Sequence, residues 1–164
     1  MRKLSKKTIV CFLFLVFSIL SLTYSAAQGK VFVVDDESIF KVSFISAEYL
    51  DADGDGHSDD TRFDVEVYYN PEVFDGSRIK MDCYFDIILP SNTTYSYFGF
   101  VQMYSITSIV RFDVYDTVTE SGWYTINFDA YVKVKMLSYH SFCTTIFDPP
   151  TGHGEGGGTP TMDF

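Results

Sequence analysis

The run Tyr124-Thr125-Ile126-Asn127-Phe128-Asp129-Ala130-Tyr131-Val132-Lys133-Val134-Lys135-Met136 alternates in character with few breaks. Tyr124, Ile126, Phe128, Ala130, Val132, Val134 and Met136 fall on one side of an extended chain. Thr125, Asn127, Asp129, Lys133 and Lys135 fall on the other. A two-residue period belongs to a strand, because successive side chains of an extended backbone point to opposite faces. The same period returns three times elsewhere in the chain. Phe63, Val65, Val67 and Tyr69 oppose Arg62, Asp64, Glu66 and Tyr68. Ile79, Met81, Cys83, Phe85, Ile87 and Leu89 oppose Lys80, Asp82, Tyr84, Asp86 and Ile88. Val110, Phe112 and Val114 oppose Arg111, Asp113 and Tyr115. One apolar and one polar face is the pattern of antiparallel sheets with one side buried. Turn signals at Asn70-Pro71, Asp75-Gly76, Pro90-Ser91-Asn92 and Ser121-Gly122 separate the runs. No segment sustains a 3.6-residue period outside the amino-terminal stretch. The expected fold is all-β: about seven to eight strands over residues 28–148, in two antiparallel sheets packed face to face.

Ahead of the longest strand stands Glu120-Ser121-Gly122-Trp123-Tyr124-Thr125-Ile126. It resembles the D-x-G-x-Y-x-C entry into strand F of immunoglobulin-like domains, which places Tyr124 at the tyrosine corner. Ile126 stands where antibodies carry their second cysteine, and neither a partner cysteine nor a strand-C tryptophan is evident. The resemblance therefore implies an Ig-like or fibronectin-like sandwich and not an antibody-type domain. The other reading of these residues is an ordinary glycine-led turn before a buried tyrosine.

Between two of the strands lies Asp51-Ala52-Asp53-Gly54-Asp55-Gly56-His57-Ser58-Asp59-Asp60. Carboxylates at this density repel one another unless a counter-charge sits among them, and calcium is a hard cation that takes six to eight oxygen ligands. Asp51, Asp53 and Asp55 occupy positions 1, 3 and 5 of a calcium loop, Gly56 the sharp turn at 6, His57 position 7 through its carbonyl, and Asp59 position 9. Asp60 is placed to orient the loop or to replace Asp59. Position 12, a bidentate Glu in an EF-hand, is Arg62. Strand-like flanks and this mismatch make the segment similar to the D-x-D-G-D-G-x-x-D loops of FG-GAP-type and related extracellular β domains. That resemblance covers some ten residues and implies Ca2+ as the cofactor. A solvated Asp/Gly turn is the alternative.

The amino terminus has the form of a secretory signal. Basic Met1–Lys7 precedes an apolar Thr8–Leu22, and Ser25-Ala26-Ala27 offers small residues for cleavage. Residues 1–27 are accordingly set apart from the fold, with an uncleaved anchor as the alternative. The remaining 137 residues carry 8 basic and 22 acidic side chains, a formal charge of −14. Such a surface repels nucleic acid and anionic lipid. No membrane span is expected once the signal is removed, and the expected location is secreted or cell-surface. Cys83 and Cys143 are left either as a disulfide or as two apolar thiols. Asn92-Thr93-Thr94 is a glycosylation sequon. Residues 149–164, rich in Gly and Pro, read as a flexible tail or linker.

No catalytic constellation emerges. The sequence lacks a G-x-S-x-G elbow, an H-E-x-x-H pair and a phosphate-binding glycine loop. His57 is used by the loop, His153 lies in the tail, and His140 and Cys143 are three apart on a strand and so face opposite ways. The expectation is a non-catalytic, calcium-stabilised surface protein with a structural, adhesive or protein-interaction role. The alternative is a carbohydrate-binding module using the aromatic segment Tyr95–Tyr104. Its partner would be an unidentified surface protein or a glycan.

Overall fold

In the computed structural model, residues 32–74, 78–149 and 160–163 are described. Nine strands and one helical turn follow in order: β1 Phe32–Asp35, β2 Phe40–Leu50, β3 Asp60–Tyr69, α1 Pro71–Phe74, β4 Ile79–Ile88, β5 Thr94–Met103, β6 Thr107–Tyr115, β7 Tyr124–Val134, β8 Leu137–Phe147 and β9 Thr161–Asp163. They form an all-β sandwich. One sheet has the order β1-β8-β7-β4-β5 and the other β2-β3-β6-β9. The signal-like segment lies outside the described residues, as does 150–159 of the Gly/Pro-rich tail. Thr161–Asp163 depart from the tail reading, since they pair antiparallel with β6 through Val114↔Met162. Among the described residues no helix is long and apolar enough to cross a membrane.

The alternation of the sequence becomes the two inner faces. Met81, Cys83, Phe85 and Ile87 of β4 and Tyr124, Ile126, Phe128 and Ala130 of β7 are buried against Phe63, Val65 and Val67 of β3 and Phe112 and Val114 of β6. Aromatic rings link the layers. Phe63 lies 4.9 Å from Phe112, in stacked geometry, and 5.1 Å edge-on from Phe85, while Phe112 meets Phe128 at 5.4 Å. The alternating run that extends to Met136 in the sequence ends as a strand at Val134. A two-residue turn with Lys135 at φ +55° leads into β8, which leaves Met136 exposed. The helical turn Pro71–Phe74 has no periodic signal, but its start has a local cause. The side chain of Asn70 accepts the Glu72 N–H at 2.9 Å, and Pro71 fills the first helical position, where no donor is needed.

The tyrosine corner forms. The Tyr124 hydroxyl donates to the carbonyl of Glu120 at 2.9 Å and accepts from the N–H of the same residue at 2.8 Å. Cys83 and Cys143 are both free thiols, and burial pushes the pKa of each up to about 12. The topology explains why they do not meet. Strand β7 runs between β4 and β8, and the two cysteines pair with β7 residues two apart, Ala130 and Phe128, so two strand spacings and this offset separate them by about 12 Å, beyond the Cα separation a disulfide allows.

Strand β1, on the sheet edge, is fastened through His140 of β8. The ring bonds at both nitrogens, 2.7 Å from Asp35 of β1 and 2.7 Å from Asp129 of β7, and stacks on Tyr131 at 4.6 Å. A neutral imidazole has one N–H, so serving two carboxylates requires the imidazolium. Burial opposes that charge, but the bonds to Asp129 and Asp35 outweigh it and raise the pKa above the ordinary histidine value. A pKa raised on folding contributes stability that is fully present below about pH 6.5 and lost as pH climbs through the folded-state value. Asp35 is largely exposed, so the contribution is screened and of order 1 kcal/mol or less. Amide exchange in β1, corrected for its intrinsic pH dependence, is expected to quicken above neutrality in the wild type and to lose that step in His140→Gln. An identical pH profile in both would show that His140 does not hold β1.

Candidate metal centre

The Asp-rich segment connects β2 to β3, and its base is closed by the Leu50↔Asp60 pair. Short carboxylate side chains fold the loop on itself, as Asx turns do. Asp51 accepts the N–H groups of Gly54 at 2.7 Å and Gly56 at 3.1 Å; Asp53 accepts that of Asp55 at 3.0 Å, and Asp55 that of His57 at 2.7 Å. Gly54 and Gly56 have φ of +80° and +95°, the left-handed region that glycine occupies without strain.

Asp60 anchors this arrangement from the first position of β3. It is fully buried. Its Oδ2 accepts the N–H groups of Ala52 at 2.6 Å and Asp53 at 3.1 Å, and its Oδ1 accepts that of Asp116 at 2.9 Å. Carboxylate oxygens of Asp51, Asp53 and Asp60 all lie within 4.8 Å of one another, a spacing that one ion can span. Among the described residues this is a set of hard oxygen donors without sulfur or imidazole, which suits Ca2+ or Mg2+ over softer metals.

Asp59 is the anomaly. The residue is 1% exposed, and neither carboxylate oxygen has a hydrogen-bond partner. Desolvation raises its pKa, and the charges of Asp60, Asp55 and Asp116 raise it further. A buried charge without a partner is costly, and such groups are normally paired or bound to a metal. No ion pair reaches Asp51, Asp53, Asp55, Asp59 or Asp60 among the described residues. The nearby arginines are used elsewhere: Arg62 forks onto Asp113 at 2.6 and 2.9 Å, and Arg111 onto Asp64 at 2.9 and 2.9 Å. Arg62, which stands at the position of an EF-hand's last ligand, is thus a cross-strand ion pair on the outer face.

Of the six residues singled out in the sequence, the structure brings carboxylate oxygens of Asp51, Asp53 and Asp60 together; Asp59, buried one residue before Asp60, is not in that group. Asp55 and His57 are also outside it, and are exposed as Asp51 and Asp53 are. Asp60, expected either to orient the loop or to act as a ligand, is placed for both. Asp116 is absent from the sequence reading. It is 56 residues from Asp60 in the chain, in a stretch with no ligand-like spacing.

Register changes the make-up of the aromatic segment considered for sugar stacking. With Cys83 inward and opposite Gly99, Tyr95 and Tyr97 of β5 must also turn toward the core, and Tyr97 stacks on Phe85 at 5.0 Å. The exposed rings are Phe98 and Phe100, with Tyr104 just beyond the strand. No protein-family model matches the chain, and no curated protein shows significant sequence similarity to it.

Proposed function

We propose that this chain is an exported β-sandwich of the immunoglobulin-like class, stabilised by calcium, with a structural or adhesive role at the cell surface and no catalytic one. The observation that carries the calcium reading is the spacing of Asp51, Asp53 and Asp60, whose carboxylate oxygens lie within 4.8 Å of one another, next to the buried and unpartnered carboxylate of Asp59, whose charge a cation at the loop would compensate. Export rests on the Met1–Ala27 pattern. The class is supported by the order β8-β7-β4-β5 opposite β2-β3-β6 and by the Tyr124 corner. An adhesive role is supported by the outer face of the five-stranded sheet, where Tyr84 and Phe98 pair at 4.8 Å beside exposed Phe100 and Phe142.

The test is thermal unfolding in EDTA, in ~10 mM calcium and in ~10 mM magnesium, for the wild type and Asp59→Asn. An ion bound only by the folded state stabilises it by mass action. With a dissociation constant of about 10⁻⁴–10⁻³ M, as extracellular modules show, calcium adds about 1.5–3 kcal/mol, or roughly 5–10 °C. In EDTA the variant is expected to melt above the wild type, because an uncompensated buried charge is gone. In calcium the order reverses. No calcium shift in the wild type would reduce the segment to a solvated turn.

Carbohydrate binding is the second reading, favoured by a cleft of about 440 Å³ on the same outer face. Tyr84 and Tyr131 line it together with Asp82, Asp129, Lys133 and Ser138, pairing aromatic rings with hydrogen-bonding groups of both charges. Glycan-array binding that is lost in Tyr84→Ala would support this reading over protein contact.

A further inference from the structure

Residues 28–164 carry 8 basic side chains against 22 acidic ones, yet four of the eight, Arg78, Lys80, Lys133 and Lys135, line one cleft of about 550 Å³. It lies at the end of the five-stranded sheet where β4 begins and β7 ends, with buried Phe74 and Val132 in its wall. Asp82 is the one acid among the described residues that line it. Four cations less one carboxylate leave a formal charge of +3 there, on a chain that is otherwise strongly acidic.

These cations are poorly neutralised. Met81 pairs with Val132, so Lys80 and Lys133, one residue outward on each strand, are cross-strand neighbours. Like charges so placed repel. They share the Asp82 carboxylate, at 4.0 Å from Lys80 Nζ and 3.7 Å from Lys133 Nζ. Arg78 and Lys135 have no carboxylate partner among the described residues. Rings hold two of the heads instead: Arg78 Cζ lies 5.7 Å from the centre of Tyr104, and Lys80 Nζ 4.4 Å from that of Phe100. Such contacts position a cation without cancelling its charge.

The basic cleft runs into the cleft of about 440 Å³ described above, with Asp82 and Lys133 common to both. In that second cleft exposed Tyr84 meets Tyr131 edge-on at 5.8 Å, and Asp82 and Asp129 are hydrogen-bond acceptors. The whole surface therefore asks for three things of one ligand: apolar ring faces for the tyrosines, hydroxyls to donate to the two aspartates, and anionic groups for the four cations. A sugar chain with acid groups offers all three. A run of acidic amino acids would set carboxylates against Asp82 and Asp129 with no hydroxyls for them, and a long nucleic acid is opposed by the formal charge of −14.

We propose that this outer face binds an acidic saccharide, bearing uronate or sulfate groups that seat on Arg78, Lys80, Lys133 and Lys135 while sugar rings lie on Tyr84 and Tyr131. This rests on the carbohydrate reading above and names its ligand class.

Calorimetry in EDTA tests it with three probes: a short oligogalacturonate, a short sulfated galactan, and the methyl-esterified oligogalacturonate as the neutral control. The proteins are the wild type, the double variant Arg78→Gln/Lys135→Gln and Tyr84→Ala; the two glutamines break no ion pair among the described residues. At least one acidic probe is expected to bind the wild type about tenfold tighter than the neutral control, as two exposed ion contacts would give, and the stronger of the two identifies the acid group. The double variant should lose that preference with an unchanged melting temperature, and Tyr84→Ala should weaken acidic and neutral forms alike. Equal affinity for acidic and neutral forms, lost in Tyr84→Ala, would overturn the proposal while the carbohydrate reading stands. A pentaglutamate peptide that binds as tightly as the acidic sugars would overturn it in favour of an acidic protein partner. Binding of no saccharide probe would also overturn it, and the carbohydrate reading would then stand or fall on the glycan array.

Discussion

Asp60→Ala is expected to cost about 3 kcal/mol in EDTA and to erase the whole calcium-dependent gain as well, making it the most damaging substitution in the loop region. Three backbone N–H groups, of Ala52, Asp53 and Asp116, end on its two oxygens. Bonds to a charged acceptor contribute about 1.5–3 kcal/mol each, and stranded donors lose more than the bond itself. Two effects bring the sum down: Ala52 and Asp53 can be rehydrated at the loop surface, and the removed charge had repelled its neighbours. With calcium present the difference from wild type widens by about 1.5–3 kcal/mol, because the variant has also lost one of the three clustered carboxylates. Asp60→Asn should fall between, since one carbonyl oxygen can still accept from part of the set. Urea unfolding with and without calcium measures both increments. A variant that loses calcium stabilisation but keeps wild-type stability in EDTA would show that Asp60 is a ligand and not an anchor.

Phe63→Ala is expected to cost about 3–5 kcal/mol independently of calcium, the usual range for removing a buried phenylalanine. The residue is fully buried on β3 and touches rings from both layers: Phe44 at 5.7 Å, Phe112 at 4.9 Å, Phe85 at 5.1 Å and Phe128 at 6.2 Å. Interiors are close-packed, so the space left among four rigid rings cannot be refilled by small shifts. The midpoint of urea unfolding should drop while its slope stays constant. A loss below about 2 kcal/mol would mean that the neighbouring rings collapse into the space. Because the substitution leaves the loop intact, the calcium increment should survive it, in contrast to Asp60→Ala.

These two residues also mark what is legible before folding. Phe63 reads as core because period-two alternation is a local property: any buried sheet face demands it, whichever strands become neighbours. The Asp51–Asp60 loop is legible for the same kind of reason, since its carboxylates and glycines supply their own turns over ten residues. Tyr124 is legible through the short spacing back to Glu120. The aromatic segment offers no such local answer. In Thr94–Met103 rings fall on both faces, and pairing with β4 opposite Gly99 chose which set turned inward.

The all-β class, the antiparallel sandwich, the main core faces and the acidic loop are written in the chain itself, each by side chains within a few residues of one another. Other features had to wait for strands to find their neighbours. Folding separated Cys83 from Cys143 by an intervening strand, paired Thr161–Asp163 with β6, gave Arg62 to Asp113, buried Asp59 without a partner, and carried Asp116 to Asp60 across 56 residues. Each of these depends on strand order and register, which join segments distant in the chain and leave no periodic or spacing signal within either one.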